Sequence, residues 1–352
     1  MKILHTADIH LREYGDERWK TLQKLIDIGK KEKIGVFVIS GDLFDKGINA
    51  EKLRPKIREI FSNNNFKIVL IPGNHDSDSY KDMYFGEDAV VLTEVSPLLE
   101  YKNVRIWGLP FERIEGEKIR DKLHFLRDEF DTNKKNIILY HGELLDVFYS
   151  RKDFGDEGEE RYMPVKLSYF RDLNVDYVLA GHFHSKFDVR MIEGGGYFVY
   201  PGSPISITKR EIGQRKINLF KVGKPPKEHL LDTPHFEEVV IELNPLEDKN
   251  PLEIVRTRVG KVHPKASIIL TINGYVNSEK IKMKEPELVK QIKQIIRGKC
   301  VERHLEFQDI HTILEDDLFK SFTGKLEQTD YTEEKKKQMR DIAIKAMMKA
   351  RL

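Results

Sequence analysis

A single cysteine, Cys300, stands in 352 residues, so no disulfide can form within the chain. The sequence therefore reads as a protein of a reducing compartment, with the cytoplasm as the expected location. Long apolar runs are missing too. None approaches the roughly 20 residues of a membrane span, and no signal-peptide pattern precedes the first strand-like run, so no membrane association is expected. Excess charge is small: Lys+Arg 60 against Asp+Glu 58 leaves +2, which excludes a globally basic nucleic-acid binder and confines any DNA contact to local patches. No segment matches the Gly-rich phosphate loop G-x-x-x-x-G-K-[ST], so any ATP hydrolysis coupled to this protein has to come from a partner. Internal repeats and low-complexity tracts are absent as well. The length suits one to three domains with ample core.

What the chain does have is five short polar motifs: Asp8-Ile9-His10, Gly41-Asp42-Leu43-Phe44-Asp45, Gly73-Asn74-His75-Asp76, His141-Gly142-Glu143 and Gly181-His182-Phe183-His184. Each follows an apolar, β-branched run that reads as a strand. Ligands must come from several elements to surround an ion, so dispersed Asp, His and Asn at strand ends suit a metal centre. Imidazole together with carboxylate and amide oxygen points to divalent first-row metals. Two such ions about 3.5–4 Å apart can activate a water and clamp a phosphoryl oxygen. A pair of this kind needs a bridging carboxylate, and Asp42 is the natural candidate, leaving a strand (35–40) through Gly41, which allows a sharp turn.

On these motifs the chain resembles the calcineurin-like metallophosphoesterases. Within them it resembles the nuclease subunit of the SbcCD complex and the meiotic-recombination-eleven family of DNA repair nucleases. The opening Met1-Lys2-Ile3-Leu4-His5-Thr6-Ala7-Asp8-Ile9-His10-Leu11 and the later Tyr200-Pro201-Gly202-Ser203-Pro204 carry that closer likeness. The catalytic resemblance covers roughly residues 1–221. It implies one metal held by Asp8, His10 and His184, another held by Asn74, His141 and His182, and Asp42 bridging the two. The cofactor expected is a pair of divalent ions, manganese (Mn2+). His75 is expected to stay off the metals and face the scissile phosphate, stabilising the transition state or protonating the leaving oxygen, with Asp76 orienting its ring. Many relatives place a second His where this chain has Asp45, and others, mostly bacterial, carry Asp there, so a second catalytic His is not expected and Asp45 reads as structural or as support for a ligand. Glu143 is read the same way. Gly202 and Ser203 fit a plain turn as well as a substrate contact. His5, His124, His229, His235, His263, His304 and His311 have no companion pattern and read as ordinary surface or core residues.

Strand-like runs at 2–6, 35–40, 67–71, 103–108, 136–140 and 177–180, with helical stretches at 16–33 and 50–63, give a β-α-β-α-β beginning that favours parallel pairing. Shorter runs at 186–191, 197–200 and 216–221 read as antiparallel strands, and 151–161, dense in charge, as a mobile loop. The fold class is α/β; the resemblance implies two mixed β-sheets flanked by helices for a nuclease domain at 1–221. A linker is expected at 222–234, with three prolines. A β-α-β-α-β module follows at 235–308, its second helix marked by Leu288, Ile292, Ile295 and Ile296. In the resembling family such a module caps the nuclease site; stability or dimerisation is the plainer use.

The remaining 309–352 reads as a tail of two helices. Met339, Ile342, Ala343, Ala346, Met347 and Ala350 form an apolar stripe, with Asp330, Glu333 and Glu334 at its start and Lys345, Lys349 and Arg351 near its end. That stripe either docks on the chain's own body or, as the resemblance implies, binds the coiled-coil base of an ABC ATPase of the rad-fifty or SbcC type. The resemblance further implies DNA as substrate, 3′ to 5′ exonuclease action on duplex ends, endonuclease action on single strands, and a homodimer built through 12–31 and 50–62. Two other functions share the motifs: a phosphatase or cyclic-nucleotide phosphodiesterase on the same scaffold, and a non-catalytic interaction module. The capping module and tail weigh against the first, and the full ligand set against the second.

Overall fold

The structure, a computed structural model, describes residues 1–80, 84–94, 97–146, 162–246 and 249–351; the expected loop at 151–161 lies outside them. The chain divides into two units, Met1–Phe236 and Glu237–Leu352.

The first unit is built on two six-stranded mixed sheets. One contains β1 (Lys2–Thr6), β2 (Val36–Ser40), β3 (Lys67–Ile71), β4 (Ala89–Val91), β11 (Lys216–Lys221) and β12 (Glu228–Leu230), in the order β12-β11-β1-β2-β3-β4. The other contains β5 (Leu98–Tyr101), β6 (Val104–Leu109), β7 (Lys135–His141), β8 (Tyr177–Gly181), β9 (Asp188–Met191) and β10 (Tyr197–Tyr200), in the order β5-β6-β7-β8-β10-β9. Each sheet has a run of four parallel strands, β1 to β4 and β6-β7-β8-β10, edged by antiparallel pairs. The strand at 197–200 thus departs from expectation: it is antiparallel to β9 but parallel to β8.

The period-2 alternation of the strands feeds separate cores. Ile3, Val36, Val38, Val69, Val104, Ile106, Ile137 and Leu139 share one cluster contributed by both sheets. The alternate residues Leu4, Phe37, Ile39, Ile68 and Leu70 pack under helices α1 (Glu17–Glu32) and α2 (Ala50–Ile60). Trp107, Ile138, Tyr140 and Val178 pack under α3 (Glu117–Glu129). Helix α1 begins where Asp16 accepts the Trp19 N–H at 2.7 Å and ends at Lys33, whose φ of 52° breaks the helix. Helix α3 is an element beyond those expected, although Ile119, Leu123 and Leu126, all buried, lie at helical spacing.

The stretch 222–234 is part of this unit rather than a linker. Residues 228–230 form β12, hydrogen-bonded to β11, and Leu231 and Thr233 are buried. Their burial outweighs the prolines that suggested a free connection.

The second unit carries the expected β-α-β-α-β module as β13 (His235–Leu243), α4 (Pro251–Gly260), β14 (Ala266–Val276), a short α5 (Ser278–Ile281), α6 (Glu285–Ile295) and β15 (Cys300–Asp309), in sheet order β13-β14-β15 with β14 and β15 parallel. The tail holds three helices rather than two: α7 (His311–Leu314), α8 (Asp317–Glu327) and α9 (Glu333–Arg351). Its core is Ile310, Ile313, Phe319 and Ile344, with Ala343, Met347 and Met348 packed alongside. Of the expected stripe, Ala343 and Met347 therefore pack at home, while Ile342 is 67% exposed. No helix among the described residues is long and apolar enough to cross a membrane.

Candidate metal centre

The expected ligands all sit at carboxyl ends of parallel strands. Asp8 and His10 follow β1, Asp42 follows β2, Asn74 follows β3, His141 ends β7, and His182 and His184 follow β8. Two sheets thus deliver side chains to one edge, where open α/β sheets place their ligands. The backbone there is contorted: Asp8, His10, Asp42 and His182 have φ of 55°, 51°, 52° and 90°. Non-glycine residues rarely adopt such values, and they persist where surrounding structure enforces them. Here Asp8 and His10 N–H groups donate to the Gly41 and Asp42 carbonyls at 3.2 and 3.0 Å, prolonging the β1–β2 pairing past its regular end. Gly41, at φ 91°, is required twice over, because a Cβ on it would fall on the His141 ring.

The side chains converge as two connected groups. In one, His184 Nε2 lies 3.4 Å from His10 Nε2 and 3.7 Å from Asp8 Oδ1. In the other, Asn74 Oδ1 lies 2.8 Å from His141 Nε2 and 3.1 Å from His182 Nδ1. Asp42 Oδ2 stands between them, 3.7 Å from His10 Nε2 and 3.4 Å from His141 Nε2. The groups are tied together through Asp8, whose two oxygens accept the His182 N–H at 3.0 and 3.1 Å.

These atoms fit a pair of divalent cations. His141 Nδ1 is 2.8 Å from the Ser40 carbonyl, which can only accept, so Nδ1 carries the proton and Nε2 presents its lone pair to the Asn74 oxygen and Asp42. Asp42 Oδ2 is buried with no hydrogen-bond donor. Lone pairs facing lone pairs are expected around a cation and costly without one. Without a cation, protons take its place. Burial works to raise Asp42, but His141, His10 and His75 outweigh it and hold this carboxyl far below the usual carboxylate range. Burial works to lower His141, yet Asp42, Asp8 and the Ser40 carbonyl lift it to about 9. Asp8 is raised by burial and by Asp42. The pocket draws positive charge to itself.

His75 is placed beside this cluster, its ring 4.6 Å from that of His10 in an edge-on arrangement. Its backbone N–H donates to Asp42 Oδ1 at 3.0 Å. Asp76 does not serve its ring as expected. The Asp76 carboxylate instead accepts the Gly73 N–H at 2.8 Å, the Phe44 N–H at 3.1 Å and the Tyr80 hydroxyl at 2.8 Å, fastening the 73–80 turn to the 41–45 turn. Burial and the nearby Asp42 push this carboxyl up to about 6 against those donors. The carboxylate facing His75 Nδ1 is Asp45, at 3.6 Å. The same Asp45 oxygen lies 3.4 Å from His10 Nδ1, while its second oxygen takes Arg12 and, at 3.0 Å, Arg18.

Sequence reasoning missed the support behind His184. Glu211 is fully buried, its Oε1 3.4 Å from His184 Nδ1. It also accepts the Ser203 hydroxyl and the Ile207 N–H, each at 2.8 Å. Arg215 holds the carbonyls of His184, Ser185 and Ser203. Burial works to raise Glu211, but His184, Arg215 and the Ile207 amide bring it down to about 2. The only signal was Ser203, whose hydroxyl is buried in this network. Glu143 is likewise structural, accepting the Tyr162 N–H at 3.0 Å. Tyr162 itself lies over the centre, its ring 4.8 Å from that of His182. His5 is a buried core residue whose imidazole burial lowers to about 3.

Comparison with known proteins accords with this geometry. Residues 1–186 match the family described as calcineurin-like phosphoesterase. The chain is similar to the DNA double-strand break repair protein Mre11 of Sulfolobus acidocaldarius, 25% identical over 236 residues, 60% of this chain and 56% of that protein. It is 28% identical over 229 residues to the protein of the same description from Sulfurisphaera tokodaii, again 60% of this chain and 56% of the relative. The SbcD nuclease component of SbcCD from Staphylococcus saprophyticus is 23% identical over 290 residues, 72% of this chain and 71% of that protein. The chain thus spans little more than half the length of the Mre11 relatives it matches.

Proposed function

The chain belongs to the calcineurin-like phosphoesterase family, and from that premise we propose that it is the nuclease subunit of a DNA double-strand-break repair complex, hydrolysing DNA phosphodiester bonds. The family works with a dinuclear divalent metal site, for which the converging side chains are candidate ligands. The observation that carries the reading is Asp42 Oδ2, buried, without a donor, and flanked by His10 Nε2 at 3.7 Å and His141 Nε2 at 3.4 Å. Asp8, His10 and His184 would hold one cation and Asn74, His141 and His182 the other, with Asp42 shared. Bound there, two manganese ions would supply Lewis-acid charge to the phosphoryl oxygens and acidify a water.

The chain's own groups supply the rest. The His141 proton on Nδ1 and the Glu211 carboxylate behind His184 fix how those two rings point. Asp45 lies 3.6 Å from His75 Nδ1, an ion-pair separation rather than a hydrogen bond, and would act on that edge of the ring, while His75 would give a proton to the leaving oxygen. His75 is 18% exposed at its side chain, where the ligand residues His10 and His141 are at 2% and 0%, so a substrate reaches it first.

The names of the relatives support DNA as substrate and double-strand-break repair as the setting. The finer reading is exonuclease action in the 3′ to 5′ sense on duplex ends, endonuclease action on single strands, a homodimer joined through α1 and α2, and work in the cytoplasm. The module β13 to β15 acts as a cap. The exposed Ile342 face of α9 supports docking to the coiled-coil base of a rad-fifty or SbcC-type ABC ATPase. The test is cleavage of end-labelled linear DNA against hydrolysis of p-nitrophenyl phosphate, both with manganese. The reading expects DNA to be cut; a protein that hydrolyses only the small ester is a phosphatase.

A further inference from the structure

A second polar cavity, of about 440 Å³, lies in the first unit away from the ligand cluster. One wall is a face of α3, with Arg120, His124 and Arg127 at positions i, i+4 and i+7. The other is the segment that leads into β8, with Lys166, Tyr169 and Arg171. Four permanent cations from two elements face one space in a chain whose net charge is only +2. Asp172 is the one carboxylate in the lining. Arg171 also pairs with Glu193 at 3.5 Å and Arg127 with Asp128 at 3.2 Å. Those pairs are exposed and worth little, so they exchange readily for a better anion.

We propose that this cavity binds the phosphodiester backbone of a nucleic-acid strand on its way to or from the metal centre, an inference that rests on the nuclease reading above. The fold supplies the path. Tyr162, with its ring 4.8 Å from that of His182, is four residues before Lys166, so one short segment joins centre and cavity. On the other side, Phe111 follows the end of β6 and its ring lies 6.5 Å from that of His141. Helix α3 connects the parallel strands β6 and β7 and so runs back from that edge, with Arg120 nearest the centre and Arg127 farthest. The row of cations from Arg120 to Arg127 extends roughly 10 Å along the helix, several times the rise per phosphate of one strand. A single free phosphate would leave most of it unused. Tyr169 adds a ring beneath the Arg120 guanidinium, 5.9 Å from its centroid, a combination suited to bases as well as phosphates.

The test is binding of a fluorescein-labelled single strand to the full-length, metal-free protein, measured by anisotropy between about 50 and 200 mM salt. The variant carries Arg120→Glu, Arg127→Glu and Lys166→Glu, with melting temperature and manganese stoichiometry as checks on its integrity. The expected result is an affinity at least about tenfold weaker and a salt slope smaller by about 2–3, close to one per cation removed. If charge reversal unfolds the chain, the double variant Arg120→Gln, Arg127→Gln reads the same site with a slope smaller by about 2. Unchanged affinity and slope in a folded variant, beside wild-type protein that binds and cuts DNA, overturns the cavity and leaves the nuclease reading standing. Calorimetry with inorganic phosphate is the second arm. Stoichiometric phosphate binding lost in the variant, with strand affinity intact, also overturns the proposal and makes this a free-phosphate site. Wild-type protein that neither binds nor cuts DNA brings down the nuclease reading, and the strand site with it.

Discussion

His141 donates its Nδ1 proton to the carbonyl of Ser40 at 2.8 Å, a bond from the end of β7 in one sheet to the end of β2 in the other. That bond sets which nitrogen of the ring faces Asn74 and Asp42. It also explains Gly41, since the residue after Ser40 passes directly under the imidazole.

Gly41→Ala is therefore expected to disturb the centre without touching a ligand. The added methyl meets the His141 ring, and alanine is strained at a φ of 91°. Stability should fall by about 1–3 kcal/mol. Manganese affinity should fall roughly 10–100-fold, as for other changes that misorient a ligand. Thermal melting and calorimetry check both; wild-type affinity in this variant contradicts the assignment of His141.

His75→Ala is expected to separate chemistry from metal binding. Hydrolysis should slow by about 10²–10⁴, the usual cost of a lost general acid. Both manganese ions should remain, because His75 is not assigned to either. Loss of one ion on calorimetry would make His75 a ligand.

Asp45 and Asp76 are expected to part company. Asp76→Ala leaves the Gly73 and Phe44 amides and the Tyr80 hydroxyl without their acceptor, so it should cost about 3 kcal/mol of stability. Asp45→Asn should change melting less and slow hydrolysis more, since Asp45 faces His75. Equal melting for wild type and Asp76→Ala is the outcome that contradicts this division.

In α9, Ile344 is 3% exposed and Ile342 67%. Ile344→Ala should cost about 2–5 kcal/mol by opening the tail's core. Ile342→Ala should stay within about 0.5 kcal/mol, yet weaken capture of the ABC ATPase coiled coil. Lowered melting in Ile342→Ala with unchanged capture would place that residue in the protein's own core.

The cluster of candidate ligands was legible in the sequence because each follows a strand closely: Asp8 comes two residues after Thr6, and His141 is itself the last residue of β7. Strand runs buried on both faces are easy to find, and so are polar residues at their ends. What the sequence hid depends on contacts between distant segments. Asp76, the next residue in the chain, reads as the carboxylate that serves His75 until the turns are placed in space and bring Asp45 to that ring instead. Glu211 lies 27 residues beyond His184 in an irregular stretch with no periodicity to flag it. The strand at 228–230 was obscured by nearby prolines and is three residues long, too short to alternate visibly. In α9 the face that turns inward, through Ile344 with Ala343, Met347 and Met348 beside it, is rotated from the expected stripe, which held Ile342 and not Ile344; helical spacing alone does not say which of two overlapping apolar faces meets the core.

The central claim is that the centre around Asp42 cuts DNA with two divalent cations, and the most direct measurement is cleavage of end-labelled hairpin DNA with manganese, with chelator, and by Asp42→Ala. The account expects manganese-dependent release of labelled fragments, none with chelator, and none from a folded Asp42→Ala protein, because that substitution removes the carboxylate shared by both cation sites. DNA cleavage that persists at the wild-type rate in folded Asp42→Ala, or that needs no metal, would contradict it.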